Sequence, residues 1–242
     1  MKLSVIIPVF NEASTIAEVI DRVAAVPIEK EIVVVDDGST DRTSELLHSR
    51  AAKIHHIHES RVNFGKGAAV RIGLTYVTGD VVIIQDADLE LEPMEYEQLL
   101  DPLRRGDAGV VYGSRFRKRN RIRLRTRLAN RALTMLTNLL YGTRLTDMAT
   151  AYKVFRTDLV RPRRLSSSRF DIDAEITAKL LRLGTAIHEV PITYRPRTVD
   201  EGKKIRWTDG VAAVVTLLRW RVMPVRSFLR RSEASAGADE SV

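Results

Sequence analysis

The feature that most constrains the fold is a set of three short strand-like segments that each end in polar or acidic residues. They are rich in β-branched side chains and bounded by turn or polar residues: KLSVIIPVF at 2–10, EIVVVDD at 31–37 and DVVIIQD at 80–86. Nearly continuous apolar strands are typical of a parallel sheet that helices cover on both faces. We therefore expect such a sheet to form the centre of the protein.

Helix-like segments separate these strands. Behind a candidate N-cap at Ser14 or Thr15, apolar residues recur at helical spacing: Ile16, Val19, Ile20 and Val23. Alternating strands and helices predict an α/β fold with a doubly wound, mostly parallel sheet and helices on both faces. The second half predicts two more strands, AGVVYGSRF and AIHEVPITYRPR, and three helices, RLANRALTMLTNLLYG, FDIDAEITAKLLRLG and WTDGVAAVVTLLRWRV.

The chain is predicted to form one domain, residues 1–225, followed by a tail. With 242 residues, of which 44% are hydrophobic, it can bury a substantial core. Residues 226–242 are first basic and then acidic. They contain too little apolar material to fold alone, so we expect this tail to be disordered.

The composition favours a cytoplasmic protein. The absence of cysteine excludes a disulfide framework. The apolar run at the N-terminus is too short for a secretory signal, and no window approaches the roughly 20 apolar residues that a spanning helix needs. Any membrane contact is therefore expected at the surface, which leaves open a peripheral position on the cytoplasmic face.

Positive charge is concentrated in one segment. The net charge is +8, and nine of the seventeen residues from Arg115 to Arg131 are Lys or Arg. This distribution predicts an anionic substrate that approaches from the basic side. The segment lacks the interleaved aromatic residues of a single-strand binding platform, so we predict no nucleic-acid partner.

The basic segment leads into a helix whose predicted apolar seam is Leu128, Leu133, Leu136 and Leu140. A cationic stretch joined to such a seam is typical of an element that lies on a membrane surface. A solvated loop followed by a core helix fits the pattern equally well. Both interpretations stay open at the level of the sequence.

Polar groups follow all three N-terminal strands, at the edge where such sheets bind ligands. Asp86, Asp88 and Glu90 occupy alternate positions after the third strand. Clustered carboxylates repel one another unless a cation lies between them. Mg²⁺ or Mn²⁺, which takes oxygen ligands and bridges to substrate phosphates, is the expected occupant. The alternative is an acid-rich surface turn.

Seven motifs resemble, in their order, those of the family 2 inverting glycosyltransferases: VIIPVFNE, VVVDDGSTDRT, NFGKGAAVRIGL, QDADLE, YGSRF, TDMATAYKVFR and VPITYRPRTVDEGKKI. The resemblance spans about residues 2–222. It is greatest to the polyprenyl-phosphate (dolichol-phosphate) mannose and glucose synthases. It implies a GT-A fold and a nucleoside-diphosphate-sugar donor.

The resemblance also implies which residues bind this donor. In the family, the first two strand ends hold the base and ribose, the DAD segment holds the sugar nucleotide, and late basic residues close over the phosphates. The implied residues are Pro8, Phe10, Glu12, Asp36, Asp37, Lys66, Asp86, Ala87, Asp88, Arg115, Arg197 and Lys203. Asp88 is implied as a metal ligand, and Glu90 is the candidate second ligand. Phe10 replaces the commoner tyrosine, and Glu90 stands where many mannose synthases have glutamine.

Asp88, Arg115 and Asp147 are the predicted catalytic residues. Sugar transfer leaves a diphosphate anion, which a divalent ion and basic side chains would stabilise. Asp147 borders the acceptor in the resembling family. For a hydroxyl acceptor it is the candidate general base. For a lipid phosphate, which is already ionised, it would only orient or shape the site. A single in-line displacement would invert the anomeric carbon in either case.

The predicted function is transfer of a hexose to a polyprenyl or dolichyl phosphate at a membrane surface, and the expected hexose is mannose from GDP-mannose. The first alternative is transfer of glucose or another hexose from a UDP-sugar to a lipid phosphate or a hydroxyl acceptor. The second is a non-catalytic protein that binds a nucleotide sugar or a nucleic acid. A membrane-protein partner and a homo-oligomer both stay open.

Overall fold

Seven strands form one sheet in the computed structural model, which describes residues 1–161, 165–197 and 207–228. The strands are β1 Leu3–Val9, β2 Lys30–Asp36, β3 His56–Glu59, β4 Val81–Ile84, β5 Val110–Ser114, β6 Lys153–Arg156 and β7 Ile187–Pro191. Their order across the sheet is β3-β2-β1-β4-β6-β5-β7.

The sheet is parallel except where β6 takes part. β6 pairs antiparallel with β4 on one side and with β5 on the other, and the remaining neighbours are parallel. The predicted α/β fold with a mostly parallel sheet is therefore confirmed. β6 itself was not predicted from the sequence, because it has only four residues and begins and ends with a basic side chain, a type that is usually exposed.

Helices cover both faces of the sheet. They are α1 Ile16–Ala25, α2 Thr43–His48, α3 Lys66–Tyr76, α4 Tyr96–Arg104, α5 Leu124–Tyr141, α6 Thr157–Val160, α7 Ile172–Arg182 and α8 Trp207–Val222. Ile7 of β1 belongs to one core with Ile20 of α1. Its neighbour Ile6 belongs to a second core with Val70 of α3 and Ile176 of α7. Successive side chains of β1 therefore enter the cores on opposite faces of the sheet. The prediction of helices on both faces is confirmed.

A third apolar cluster joins α5, α7 and α8 beside the sheet. Leu133, Leu136 and Leu140 of α5 pack against it, and Trp220 of α8 is one of its buried members. Leu128 is 57% exposed and lies on another side of the helix. The predicted apolar seam of α5 is therefore correct for three leucines and wrong for Leu128.

No helix within the described ranges is both long and apolar enough to cross a membrane. Residues 225–228 form a short 3₁₀ turn after α8, although the sequence placed the start of the disordered tail at residue 226. Residues 229–242 lie outside the described residues.

Candidate active site

The carboxyl ends of β1, β2 and β4 meet at one edge of the sheet. Val9 in β1 is in register with Asp36 in β2, and Ile6 in β1 is in register with Ile84, the last residue of β4. The loops that follow these strands therefore adjoin. With the segment at 194–197, which pairs with the loop after β4, they form the candidate active site.

Hydrogen bonds fasten the loop after β1 to the loop after β2. The Asn11 N–H, in a residue with a φ of 49°, donates to Ser39 Oγ at 2.9 Å. The Glu12 N–H donates to Thr43 Oγ1, also at 2.9 Å. Asp36 in turn accepts from the Ser39 N–H at 2.9 Å and from its hydroxyl at 2.6 Å. These polar residues therefore shape the loops as well as lining the site.

Asp37 holds the chain ahead of α3. Its carboxylate is almost fully buried and accepts the backbone N–H groups of Phe64 at 2.9 Å and Gly65 at 2.6 Å. Burial raises the pKa of Asp37 in spite of these hydrogen bonds. At the end of β1, Pro8 is buried and Phe10 is half-buried.

Lys66, the first residue of α3, belongs to a buried chain of alternating charges. Its Nζ lies 2.7 Å from Asp86 Oδ1 and 3.8 Å from Asp173 Oδ2. Asp173 is also paired with Lys153, at 2.9 Å. Burial would lower the pKa of Lys66, but the charges of Asp86 and Asp173 raise it above its usual value. Lys66 is therefore a cation held beside the loop after β4.

The glycines on either side of Lys66 serve close packing. A Cβ on Gly67 would lie 2.6 Å from the carbonyl oxygen of Ser167, and one on Gly65 would collide with that of Ser168. Gly65 also has a φ of 99°. Both glycines let α3 approach the chain before α7, which brings Lys66 to the site.

The loop after β4 carries Asp86, Asp88 and Glu90 together. Its backbone is tied to the start of α1, since the Thr15 hydroxyl donates to the carbonyl oxygen of Ala87 at 2.7 Å. The Glu90 N–H donates to Asp88 Oδ1 at 3.1 Å. Burial, and then the charges of Asp86 and Glu90, raise the pKa of Asp88 to about 7. The charge of Arg197 acts in the opposite direction, and a bound divalent cation would relieve the remaining repulsion.

Arg197 bridges the loops after β1 and β4. Its guanidinium lies 2.8 Å and 3.0 Å from the two carboxylate oxygens of Glu12, and 3.2 Å from Asp88 Oδ2. Its backbone N–H donates to Glu90 Oε1 at 2.9 Å. One oxygen of Glu90 is thus engaged with the segment that carries Arg197, and its role as a metal ligand stays a prediction. Lys203 lies outside the described residues.

The carboxylates fit a hard divalent ion that the substrate helps to hold. Within the described ranges, no three His, Cys, Asp or Glu side chains are placed to hold a metal by themselves. Mg²⁺ is usually bound by one or two carboxylates together with substrate phosphates, so Asp88 and Glu90 stay the predicted protein ligands. A bound ion would supply positive charge to the leaving diphosphate.

Asp147 and Arg115 form a buried ion pair beyond β5. Asp147 Oδ2 accepts from the Arg115 backbone N–H at 3.0 Å and from Nε at 2.7 Å. Asp147 Oδ1 accepts from Arg115 Nη2 at 2.8 Å and from Asn130 Nδ2 at 2.6 Å. Burial would lower the pKa of Arg115, but the charge of Asp147 raises it further above its usual value. The Asp147 carboxylate is fully buried and holds Arg115 in one orientation.

A groove of about 500 Å³ opens beside this ion pair. Three of its lining residues are sequence neighbours of the ion pair. Phe116 comes directly after Arg115, and Leu145 and Thr146 come directly before Asp147. The helix α5 also lines the groove and contributes three long side chains: Arg127, Arg131 and Met135. The groove is thus largely apolar, with two arginines at the N-terminal part of the helix.

A comparison with known families identifies the protein class. The profile described as Glycosyl transferase family 2 matches residues 4–163, which is more than half of the chain. The chain belongs to glycosyltransferase family 2. The matched range contains Glu12, Asp88, Arg115 and Asp147, so this part of the candidate site lies within the family domain.

Two relatives of this family 2 glycosyltransferase have names that describe enzymes acting on prenyl phosphates. The chain is 29% identical over 232 residues to undecaprenyl-phosphate mannosyltransferase of Micrococcus luteus, covering 91% of this chain and 94% of the relative. It is 27% identical over 240 residues to dodecaprenyl-phosphate galacturonate synthase of Rhizobium johnstonii, covering 94% of this chain and 70% of the relative.

Solved structures confirm the GT-A fold. Glucosyl-3-phosphoglycerate synthase of Mycobacterium tuberculosis, in complex with Mn²⁺, uridine diphosphate and glucosyl-3-phosphoglycerate, has a TM-score of 0.73. The match covers 92% of this chain and 81% of that one, at 22% sequence identity. At this identity the similarity establishes the fold of the glycosyltransferase and not its substrates.

The structure adds residues to the site that the motifs do not single out. Lys153 stands in the YKVF segment and Asp173 in FDID, but their pairing is visible only in three dimensions. Asn130, in α5, is a donor to Asp147. The one available signal is Lys153 itself, because a lysine among apolar strand residues needs a buried partner.

Proposed function

We propose that this glycosyltransferase moves a hexose, mannose from GDP-mannose, to a polyprenyl phosphate, with Mg²⁺ or Mn²⁺ and with inversion of the anomeric carbon. The similarity to undecaprenyl-phosphate mannosyltransferase and dodecaprenyl-phosphate galacturonate synthase supports a prenyl-phosphate acceptor. The complex of a structural neighbour with Mn²⁺ and uridine diphosphate supports a nucleoside diphosphate that is bound together with a metal.

The environment of Asp147 carries this proposal. Both carboxylate oxygens already accept two hydrogen bonds each, from Arg115 and Asn130. A general base must reach the proton that it removes, whereas this buried carboxylate is enclosed by its donors. An acceptor that brings its own negative charge needs no base. A phosphate oxygen meets that requirement, and a hydroxyl group does not.

The groove beside Arg115 matches a lipid phosphate. Arg127 and Arg131 offer positive charge to a phosphate, and arginine recognises phosphate through a planar fork of donors. Met135 and Leu145 offer apolar surface to a prenyl chain. The acceptor would therefore enter along α5 from a membrane surface and present its phosphate to the donor sugar.

The donor diphosphate would lie at the sheet edge among three cations: Lys66, Arg115 and Arg197. Each of them is held by a carboxylate at 2.7 Å or 2.8 Å, through the pairs with Asp86, Asp147 and Glu12. Positive groups that are fixed before the reaction stabilise developing charge without reorganisation. The chain would thus prepare the leaving-group site before the donor binds.

Transfer from a UDP-sugar to a hydroxyl acceptor is the second candidate. The uridine diphosphate in the structural neighbour favours it for the donor. A hydroxyl acceptor, however, requires a general base that is free to take its proton. The hydrogen bonds from Arg115 to Asp147 disfavour that role for Asp147. A single assay separates the two functions.

We would incubate the purified protein with GDP-mannose, UDP-glucose and UDP-galacturonate, each with undecaprenyl phosphate or 3-phosphoglycerate, with and without Mn²⁺. The expected result is Mn²⁺-dependent transfer of mannose to undecaprenyl phosphate. The Asp88→Asn variant should lose this turnover and keep its fold. Donor binding without turnover on any acceptor would instead indicate the non-catalytic binding protein.

The role of the acceptor groove can be tested by substituting one arginine inside it and one arginine of the basic segment outside it. Arg131→Leu should raise the KM for undecaprenyl phosphate by on the order of tenfold, because a charge-assisted hydrogen bond to phosphate contributes roughly 1.5–3 kcal/mol. Arg119 is exposed and does not line the groove, so Arg119→Leu should leave KM unchanged. Equal effects of both substitutions would contradict the assignment of the groove.

A further inference from the structure

The outward side of α5 carries an apolar stripe, and its inward face is partly polar. Leu124, Leu128, Met135 and Leu139 are between 57% and 81% exposed. Their spacing of four, seven and four residues places them along one stripe of the helix. The face toward the protein instead buries Asn130, Thr134 and Thr137. A helix that only covered a core would show the reverse arrangement.

α8 repeats this arrangement. Its exposed apolar side chains are Trp207, Val211, Val215, Leu218 and Val222, which are between 47% and 81% exposed. Four of them have the same spacing of four, seven and four residues. The opposite face of α8 packs into the third apolar cluster through Ala213, Leu217 and Trp220. The stripe is therefore additional to the surface that α8 needs for folding.

The two helices contact each other at their C-terminal ends. The Tyr141 hydroxyl donates to the carbonyl oxygen of Leu217 at 2.6 Å, and Arg221 Nε donates to that of Leu140 at 2.7 Å. The two stripes thus lie on neighbouring helices. Met135 belongs to the stripe of α5 and also lines the acceptor groove.

Within the described ranges, the exposed charged side chains of α5 and α8 are all positive. Between Asp107 and Asp147 the sequence contains ten Lys and Arg residues and no Asp or Glu. Asp209 is the one acidic residue of α8 and is buried, whereas Arg219 and Arg221 are exposed. A second copy of the chain would bring the same positive charge to this surface and be repelled. An anionic surface complements it.

We propose that the exposed stripes of α5 and α8 dock the protein on an anionic lipid bilayer. The apolar side chains would enter the headgroup region, and the arginines would contact lipid phosphates, as in other amphipathic helices at membranes. Docking would turn the groove toward the bilayer that holds a prenyl phosphate, a consequence that rests on the proposed function. The docking itself rests only on the exposed side chains and their charge.

Vesicle flotation tests this surface. Wild-type protein should float with vesicles that contain phosphatidylglycerol, float poorly with phosphatidylcholine alone, and be released by salt. Leu139 and Val222 are 81% and 79% exposed, one on each helix. The double substitution Leu139→Glu and Val222→Glu should lower the partition coefficient at least tenfold without changing the melting temperature. Met94→Glu alters a residue that is 57% exposed outside both helices and should have no effect.

Two results would overturn the proposal. One is equal partitioning of the wild type and the double variant on anionic vesicles. The other is a wild-type dimer in light scattering that the double substitution dissociates, because a second copy would then occupy the surface. Sugar transfer to a short-chain prenyl phosphate in detergent, measured in parallel, tests the proposed function separately. The double variant should retain that transfer.

Discussion

Among single side chains, Asp147 has the environment that says most about the reaction. It is fully buried, and its four hydrogen-bond donors come from Arg115 and Asn130. Removing one partner of a buried ion pair is costly, because the other charge is left without compensation. These contacts support a role in which Asp147 positions Arg115 against the leaving diphosphate.

The substitution Asp147→Asn separates this positioning role from base catalysis. It should lower kcat by on the order of 100-fold, the usual cost of losing one preorganised electrostatic contact in a transition state. The pH–rate profile should keep its shape, because no proton passes through Asp147. Loss of the acidic limb in the variant would show that Asp147 is the base.

A milder substitution tests the same role if the Asp147→Asn variant does not fold. Asn130→Ala removes one donor to Asp147 and leaves the ion pair with Arg115 in place. It should lower kcat several-fold, again with an unchanged pH profile.

The sequence predicted where the acidic side chains gather but not what they contact. Parallel strands bring Asp36 and Asp86 to one edge of the sheet, so their proximity follows from the strand pattern. Their partners are distant in the chain. The guanidinium that contacts Glu12 belongs to Arg197, 185 residues away, and no local pattern encodes that contact.

At the scale of the strands and helices, β6 begins with a buried charged residue, Lys153. Lys153 pairs with Asp173, near the start of α7, at 2.9 Å. Asp173 also faces Lys66 of α3. The charges of Lys153 and Lys66 lower the pKa of Asp173, although its burial acts in the opposite direction. One carboxylate thus links three elements around the site.

A double-mutant cycle measures this link. Lys153→Met alone should cost about 3–5 kcal/mol in the free energy of unfolding, because it leaves Asp173 with less compensation. Combining it with Asp173→Leu should cost clearly less than the sum of the two single substitutions. Urea unfolding supplies all four values.

The control cycle uses the exposed pair of Arg105 and Asp107, which lie 2.8 Å apart. An exposed ion pair is worth at most about 1 kcal/mol, so the coupling there should be close to zero. Additive costs for Lys153 and Asp173 as well would contradict the buried link.

The helical period of α5 was evident from the sequence, but its inward face was not. Period alone assigned Leu128 to the apolar seam, whereas the structure exposes it. The inward positions are taken by Asn130 and Thr134, because Asp147 and the Met148 N–H need their polar groups. Hydrogen bonding to the site thus places polar side chains at positions of α5 where the helical period predicted apolar ones.

Across the whole fold, a further buried carboxylate secures the edge of the sheet opposite the active site. Glu31, near the start of β2, accepts from Lys2 Nζ at 2.7 Å and from the Ser4 and Thr78 hydroxyls, each at 2.5 Å. Burial alone would raise the pKa of Glu31. The hydrogen bonds from Lys2, Ser4 and Thr78 outweigh burial and lower it from 4.5 to about 2.

This shift predicts a loss of stability in acid. A carboxylate with a lowered pKa stabilises the fold above its unfolded pKa, so the contribution of Glu31 should be present at neutral pH and fade as pH falls from about 4.5 toward 2. Its size should be roughly 3 kcal/mol, because one pKa unit corresponds to about 1.4 kcal/mol. Urea unfolding of wild type and Glu31→Gln should show the two curves of stability against pH converging in acid. Parallel curves over this range would contradict the prediction.

The central claim is inverting transfer of a sugar to a phosphate oxygen, and the structure of the product tests it most directly. Proton and phosphorus NMR of the product formed from an α-linked sugar nucleotide and a prenyl phosphate would report both the linkage and the anomer. The account predicts a β-linked sugar whose anomeric proton couples to phosphorus. An α-linked product, or a sugar attached to a hydroxyl oxygen, would contradict it.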